Sequence, residues 1–188
     1  MSEATDSMLQ NGTKKMEKAI EQLKREFSTV RTGRANPAML DKVVVEYYGA
    51  PTALKQMAQI TVQEGTTLAI TPFDKTILKE IEKAIIKADL GVSPNNDGVT
   101  VRLNFPPLTE EKRKEITKDV KKYGEDAKVA VRNVRRDMTD ELKKIEKAEN
   151  LPEDVVKDFQ DKIQKSTDKY TGIIDKEVEE KSKEVMTV

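Results

Sequence analysis

The side chains with the most chemical potential in this chain are cations gathered in one segment. Residues 112–136 hold ten Lys and Arg against four Asp and Glu, whereas the 188-residue chain as a whole balances 34 basic against 34 acidic residues. Toward its end the segment changes from lysine to arginine, in Arg132-Asn133-Val134-Arg135-Arg136. A guanidinium keeps its charge and grips a phosphate through two parallel N–H donors, where an ammonium acts as a point charge. A positive excess confined to one stretch of an otherwise balanced chain points to a phosphate-rich partner.

Other chemistries are excluded by composition. The chain has no Cys, His or Trp, so zinc centres, thiol nucleophiles, histidine-based triads and disulfides have no ligands or nucleophiles to use. No Gly-x-x-x-x-Gly-Lys-Ser/Thr loop occurs, and nucleotide hydrolysis by the chain itself is not expected. Ser93, Asn95, Asp97 and Gly98 imitate the start of a calcium loop, but its last ligand would be Asn104 where a bidentate Glu is required, so the segment reads as a turn. Glu110-Glu111 and Glu179-Glu180 lie in charge-dense helical stretches and read as solvated faces. No catalytic residue, metal or cofactor is expected; the chain reads as a binding protein and not an enzyme.

The elements that must carry the cations can be read from periodicity. Leu9, Met16, Ile20, Leu23, Phe27 and Val30 recur at helical steps, and Gly33 and Pro37 stop that helix. From Val43 the period changes: residues 43–48, 59–63, 67–73 and 99–105 read as strands. Asp74 reads as an N-cap for a short helix facing inward through Ile77, Ile81, Ile85 and Ala88. Thr109 with Glu110 and Glu111 opens a long helix whose stripe runs from Ile116 to Ile145, about 60 Å at 1.5 Å per residue. Asn150 and Pro152 end it, and Val156, Phe159, Ile163, Tyr170, Ile174, Val178 and Val185 mark a third helix.

Three long helices with narrow stripes bury them most economically against one another. The expected fold is therefore α+β: an elongated three-helix bundle of residues 1–30 and 107–188, with a small β/α/β domain, 31–106, inserted between its first two helices. The two crossings, 31–37 and 104–107, combine restricted residues with few apolar anchors and suggest a hinge at Thr32, Gly33, Asn104, Phe105, Pro106 and Pro107.

On a wheel with Ile116 at zero, Val120, Tyr123, Ala127, Ala130 and Val134 lie within about 40° of the buried direction. Lys118, Lys121, Lys122, Lys128, Arg132, Arg135 and Arg136 lie between about 100° and 240°, a basic strip on the solvent side with Val129 exposed among them. The chain's eight aromatics do not cluster with these cations, which argues against a stacking platform for single strands and for the phosphates and shape of a folded RNA. A helical adaptor or chaperone-like protein whose strip meets an acidic protein is the alternative, and major-groove DNA binding a more distant one. A polar, acidic amino terminus without a signal peptide, together with the lack of cysteine, suggests a cytoplasmic protein with no membrane association.

Four blocks carry a resemblance: Val30-Arg31-Thr32-Gly33-Arg34-Ala35-Asn36-Pro37; Val44-Val45-Glu46-Tyr47-Tyr48-Gly49; Phe105-Pro106-Pro107-Leu108-Thr109-Glu110-Glu111-Lys112-Arg113; and Val129-Ala130-Val131-Arg132-Asn133-Val134-Arg135-Arg136-Asp137. In that order, over nearly the whole chain, they resemble the ribosome recycling factor family. The resemblance implies an L-shaped monomer with a hinged domain. It also implies a role after termination. There such a factor binds the large ribosomal subunit and, with elongation factor G and that partner's GTP hydrolysis, frees the ribosome for another round. The resemblance makes Arg132, Arg135 and Arg136 contacts to 23S-type rRNA, and Arg31 and Arg34 further contacts. Lys122 and Lys128 join them from the strip itself.

Overall fold

The computed structural model describes residues 3–187. Helix α1, Glu3–Ser28, buries Met8, Gly12, Met16, Ile20, Leu23 and Phe27, so Met8 takes the inward place that periodicity assigns to Leu9. After a 3-10 turn at Pro37–Leu40 come strands β1, Val44–Tyr47, and β2, Ala50–Ala53, then one turn of helix, α2, Leu54–Met57. Strands β3, Ala58–Gln63, and β4, Thr67–Pro72, lead to α3, Leu78–Ala88; β5, Pro94–Asn96, and β6, Val101–Asn104, follow. The long helices α4, Glu110–Glu149, and α5, Glu153–Met186, complete the chain. The class is α+β, as expected.

Two compact units result. One comprises the residues as far as Phe27 with Lys118–Lys183; the other comprises Ser28–Thr117 with the residues from Glu184 on. In the first, three helices meet along their apolar stripes, and Val120, Val131, Leu142, Phe159, Ile163 and Ile174 are almost wholly buried. Two glycines set close approaches. A Cβ on Gly12 would collide with the thioether of Met138, and one on Gly124 with a methyl of Val178. Polar ties join the same helices: the Tyr170 hydroxyl donates to Glu17 at 3.0 Å, and Lys24 pairs with Glu177 at 3.4 Å.

The second unit holds a hairpin, β1–β2, and a four-stranded sheet in the order β3-β4-β6-β5. Every pairing is antiparallel. Tyr48 and Gly49 both take positive φ, 49° and 78°, the geometry of a two-residue hairpin turn whose twist matches its strands. The core gathers Leu40, Val45, Leu54, Leu68, Ile70, Ile81, Ile85, Val101, Leu103 and Phe105. Asp74 caps as expected, accepting from the Thr76 amide at 2.9 Å, but it caps a 3-10 turn, Lys75–Ile77, ahead of α3.

Residues 50–57 and 93–98 depart from the expectation. The first becomes a strand and a helical turn because β1 offers a hairpin partner. The second contains β5, paired to β6 through Pro94↔Leu103 to Asn96↔Val101. Its proline is tolerated because β5 is the sheet edge. Asp97, the would-be calcium ligand, accepts from the amides of Val99 and Thr100 at 2.9 and 2.7 Å and pairs with Arg102. These donors hold its carboxyl down at about 2.

Candidate nucleic-acid interface

Helix α4 presents the cations, and its buried stripe decides which way they face. Val120, Gly124, Ala127, Val131, Met138 and Leu142 turn inward at helical steps. Tyr123, Ala130 and Val134, expected at the centre of that stripe, are half-buried at its margin. The stripe is thus rotated from the one drawn from bulk alone, because Gly124 lets α5 come close and small residues carry no weight in a hydrophobicity count. Lys118, Lys121, Lys122, Arg132 and Arg136 are exposed, Arg135 is half-buried, and Val129 is 49% exposed beside them.

Unlike many lysines of this chain, which pair one turn away, as Lys83 does with Glu80, Lys162 with Asp158 and Lys183 with Glu179, the cations of the strip stand apart. Among the described residues, Lys118, Lys121, Lys122, Arg132, Arg135 and Arg136 form no ion pair, and the ion pairs α4 does make use Lys112, Lys114 and Lys128. For two of the arginines the cause is in the sequence. Side chains meet across a helix at three and four residues. At those distances Arg132 meets Lys128, Val129, Arg135 and Arg136, and Arg135 meets Val131, Arg132, Met138 and Thr139. Neither has an acid at those positions of its own helix. Arg132, Arg135 and Arg136 line one shallow depression of about 430 Å³ with Asn133, Lys143 and a single acid, Asp140, an excess of positive charge that an incoming phosphate relieves.

Lys128 does not lie on the solvent side where the helical wheel puts it. Its side chain is 18% exposed, and its ammonium pairs with Asp175 of α5 at 2.5 Å and with Glu125 at 3.3 Å. The hydrogen bond it donates to Asp175 is the largest influence holding its proton more tightly than in an ordinary lysine. A wheel drawn for one helix cannot see a partner on another.

A sequence model of the ribosome recycling factor family matches residues 23–186. The chain belongs to the ribosome recycling factor family. It is 57% identical to a ribosome-recycling factor of Bacillus licheniformis over 97% of this chain and 99% of that one. It is 55% identical to one of Bacillus cytotoxicus over 96% and 98%. Its structure is similar to a solution structure of the ribosome recycling factor, with a TM-score of 0.81, 38% identity and all of both chains covered. It is also similar to a chain from models of the Thermus thermophilus ribosome recycling factor and the Escherichia coli elongation factor G bound to the E. coli post-termination complex. That match has a TM-score of 0.65 and 41% identity over 97% of this chain and 99% of that one. Protein synthesis, at the step of ribosome recycling, is the process this family serves.

The remaining candidates of this recycling-factor chain lie in the segments 31–37 and 104–107. Arg34 is exposed. It lines a depression of about 510 Å³ with Thr32, Gly33, Pro107 and Arg113. Arg31 is half-buried and already engaged: its guanidinium donates to the Pro106 carbonyl and lies 5.6 Å over the Phe105 ring. Burial lowers its pKa from the usual arginine value.

The expected scarcity of apolar anchors in these segments does not hold. Phe105 is fully buried, and its amide donates to Thr66 at 2.8 Å; Ala35 is buried, and its amide donates to Gly65 at 2.9 Å. Thr32, Gly33, Pro106 and Pro107 stay outside that anchoring, Gly33 with φ of 88°. Among the described residues no helix is long and apolar enough to cross a membrane, and no group of three or more acidic residues is placed to hold a metal ion.

Proposed function

We propose that this chain binds the large ribosomal subunit after termination through Arg132, Arg135 and Arg136 of α4, with Lys122 beside them. With elongation factor G, it then separates the post-termination ribosome. The observation that carries the reading is the set of arginines that form no ion pair among the described residues, on a helix fixed by its buried stripe. Kinship supports it: one structural relative was built with elongation factor G on the post-termination complex. The chain acts by binding, as a cytoplasmic monomer without a cofactor, and the work comes from GTP hydrolysed by its partner. Thr32, Gly33, Pro106 and Pro107 form the hinge between the inserted domain, 31–106, and the helical bundle, with Asn104 and Phe105 seating its second strand. Arg34 is a secondary RNA contact. Arg31 and Lys128 contribute less to RNA binding, because each already has a partner within the protein.

Light scattering of post-termination complexes tests the activity. The chain, elongation factor G and GTP together should dissociate them, and omission of any one should not. An acidic protein as the ligand of the strip is the competing reading. Ribonuclease treatment of a captured complex separates the two, since an RNA-bound partner is lost and a protein-bound one is kept.

A further inference from the structure

A second, smaller groove of about 260 Å³ lies beside the arginine depression, between α4 and α5. Arg132 and Arg135 form one wall; Gln164 and Asp168 of α5 form the other, with the Lys128–Asp175 pair at one end. Asp168 is exposed and forms no ion pair among the described residues. Its carboxylate is oriented by the Gln164 amide, which donates to it at 2.7 Å. For a bare phosphate this is a poor site, because an uncompensated carboxylate faces the anion.

The lining instead offers guanidinium donors on one wall and a fixed acceptor on the other. A guanine base has the complementary edges. Its O6 and N7 accept from arginine, and its N1–H and amino group donate to a carboxylate. Folded RNA exposes such edges at unstacked bases in loops and bulges. We infer that the α4–α5 groove reads one unstacked guanine of the ribosomal RNA, with Arg132 or Arg135 on its O6/N7 edge and Asp168, held by Gln164, on its N1–H and amino edge.

This deepens the proposed function and rests on it, turning part of the arginine row from phosphate contact to base recognition. Its consequence runs against simple electrostatics: removal of a negative charge beside an RNA-binding surface should weaken RNA binding. The test measures binding of the full chain to isolated large subunits over a range of salt, for wild type, Asp168→Ala and Arg135→Glu. Guanine N7 reactivity to dimethyl sulfate is read in the same complexes. Circular dichroism confirms that the exposed Asp168→Ala variant is folded.

Asp168→Ala should bind about tenfold more weakly, the usual cost of giving up recognition of one base. Its salt slope should be unchanged, and a guanine protected by wild type should become reactive. Tighter binding would show that the carboxylate only repels phosphate, and unchanged binding that it faces nothing; either overturns the inference. Weaker binding without a guanine that loses protection overturns it too. If Arg135→Glu lowers affinity and salt slope while Asp168→Ala changes nothing, the base-reading groove falls and the large-subunit reading stands. If wild type does not bind the subunit, both fall.

Discussion

At the scale of single residues, the RNA contact proposed for α4 depends on which cations are already neutralised. Arg135 has no acid one turn away, whereas Lys128 is fastened to Asp175 and Glu125. Lys128→Met should therefore lower large-subunit affinity less than Arg135→Met does, while costing the bundle up to about 1 kcal/mol. Titration calorimetry and thermal unfolding of the two variants check this; an equal loss of affinity would return Lys128 to the RNA contacts. The isolation of Arg132 and Arg135 is legible in the sequence, because helical neighbours three and four residues away can be counted. The capture of Lys128 is not, since its partner lies on another helix. Asp168 and Gln164 give no sign in the sequence, being ordinary polar residues on the outside of α5.

Asp97 supplies a pH-dependent contribution at the same scale. Backbone donors from Thr100 and Val99, and then Arg102, depress its pKa from 3.8 to about 2. A depressed carboxyl stabilises the folded state above its unfolded pKa and loses that contribution as pH falls through the folded value. The stability difference between wild type and Asp97→Ala should be full at neutral pH and close between about pH 4 and about pH 2. Denaturant unfolding at several pH values follows it; a difference that stays constant through that window contradicts the assignment.

At the scale of elements, three glycines on the long helices should respond differently to one added methyl. On Gly124 the methyl meets Val178, a β-branched side chain with little rotamer freedom in a helix. Gly124→Ala should destabilise by about 1–3 kcal/mol despite the better helix propensity. On Gly12 it meets Met138, an unbranched thioether able to move aside, so the cost should be smaller. Around Gly172 nothing lies within 4 Å, and Gly172→Ala should stabilise by about 1 kcal/mol. Thermal unfolding of the three variants gives the order, and a stabilised Gly124→Ala would show that α4 and α5 are not held at that point.

The same elements show what can be read from the sequence. The three long helices are legible because their apolar steps persist over many turns, and β3, β4 and β6 because β-branched residues cluster there. The strands β2 and β5 are not, because they owe their existence to partners: Ala50–Ala53 pairs with β1, and Pro94–Asn96 pairs with β6. Phe105 beside two prolines reads as a loose joint, yet its ring lies in the core and its amide is bonded to Thr66. The proposed hinge is thereby confined to the residues on either side of those anchors.

At the scale of the whole molecule, the chain carries no formal net charge, so the proposed binding to RNA rests on how charge is distributed. The arginines of α4 concentrate positive charge that no ion pair within the described residues neutralises. The central claim is that these arginines bind rRNA phosphates, and its most direct test is the salt dependence of binding to isolated large ribosomal subunits by the wild-type chain and by Arg132→Glu/Arg135→Glu. The variant should keep its helicity, bind more weakly, and show a log–log salt slope shallower by about one unit for each phosphate no longer neutralised. Equal affinity and equal slope in a folded variant would contradict the claim.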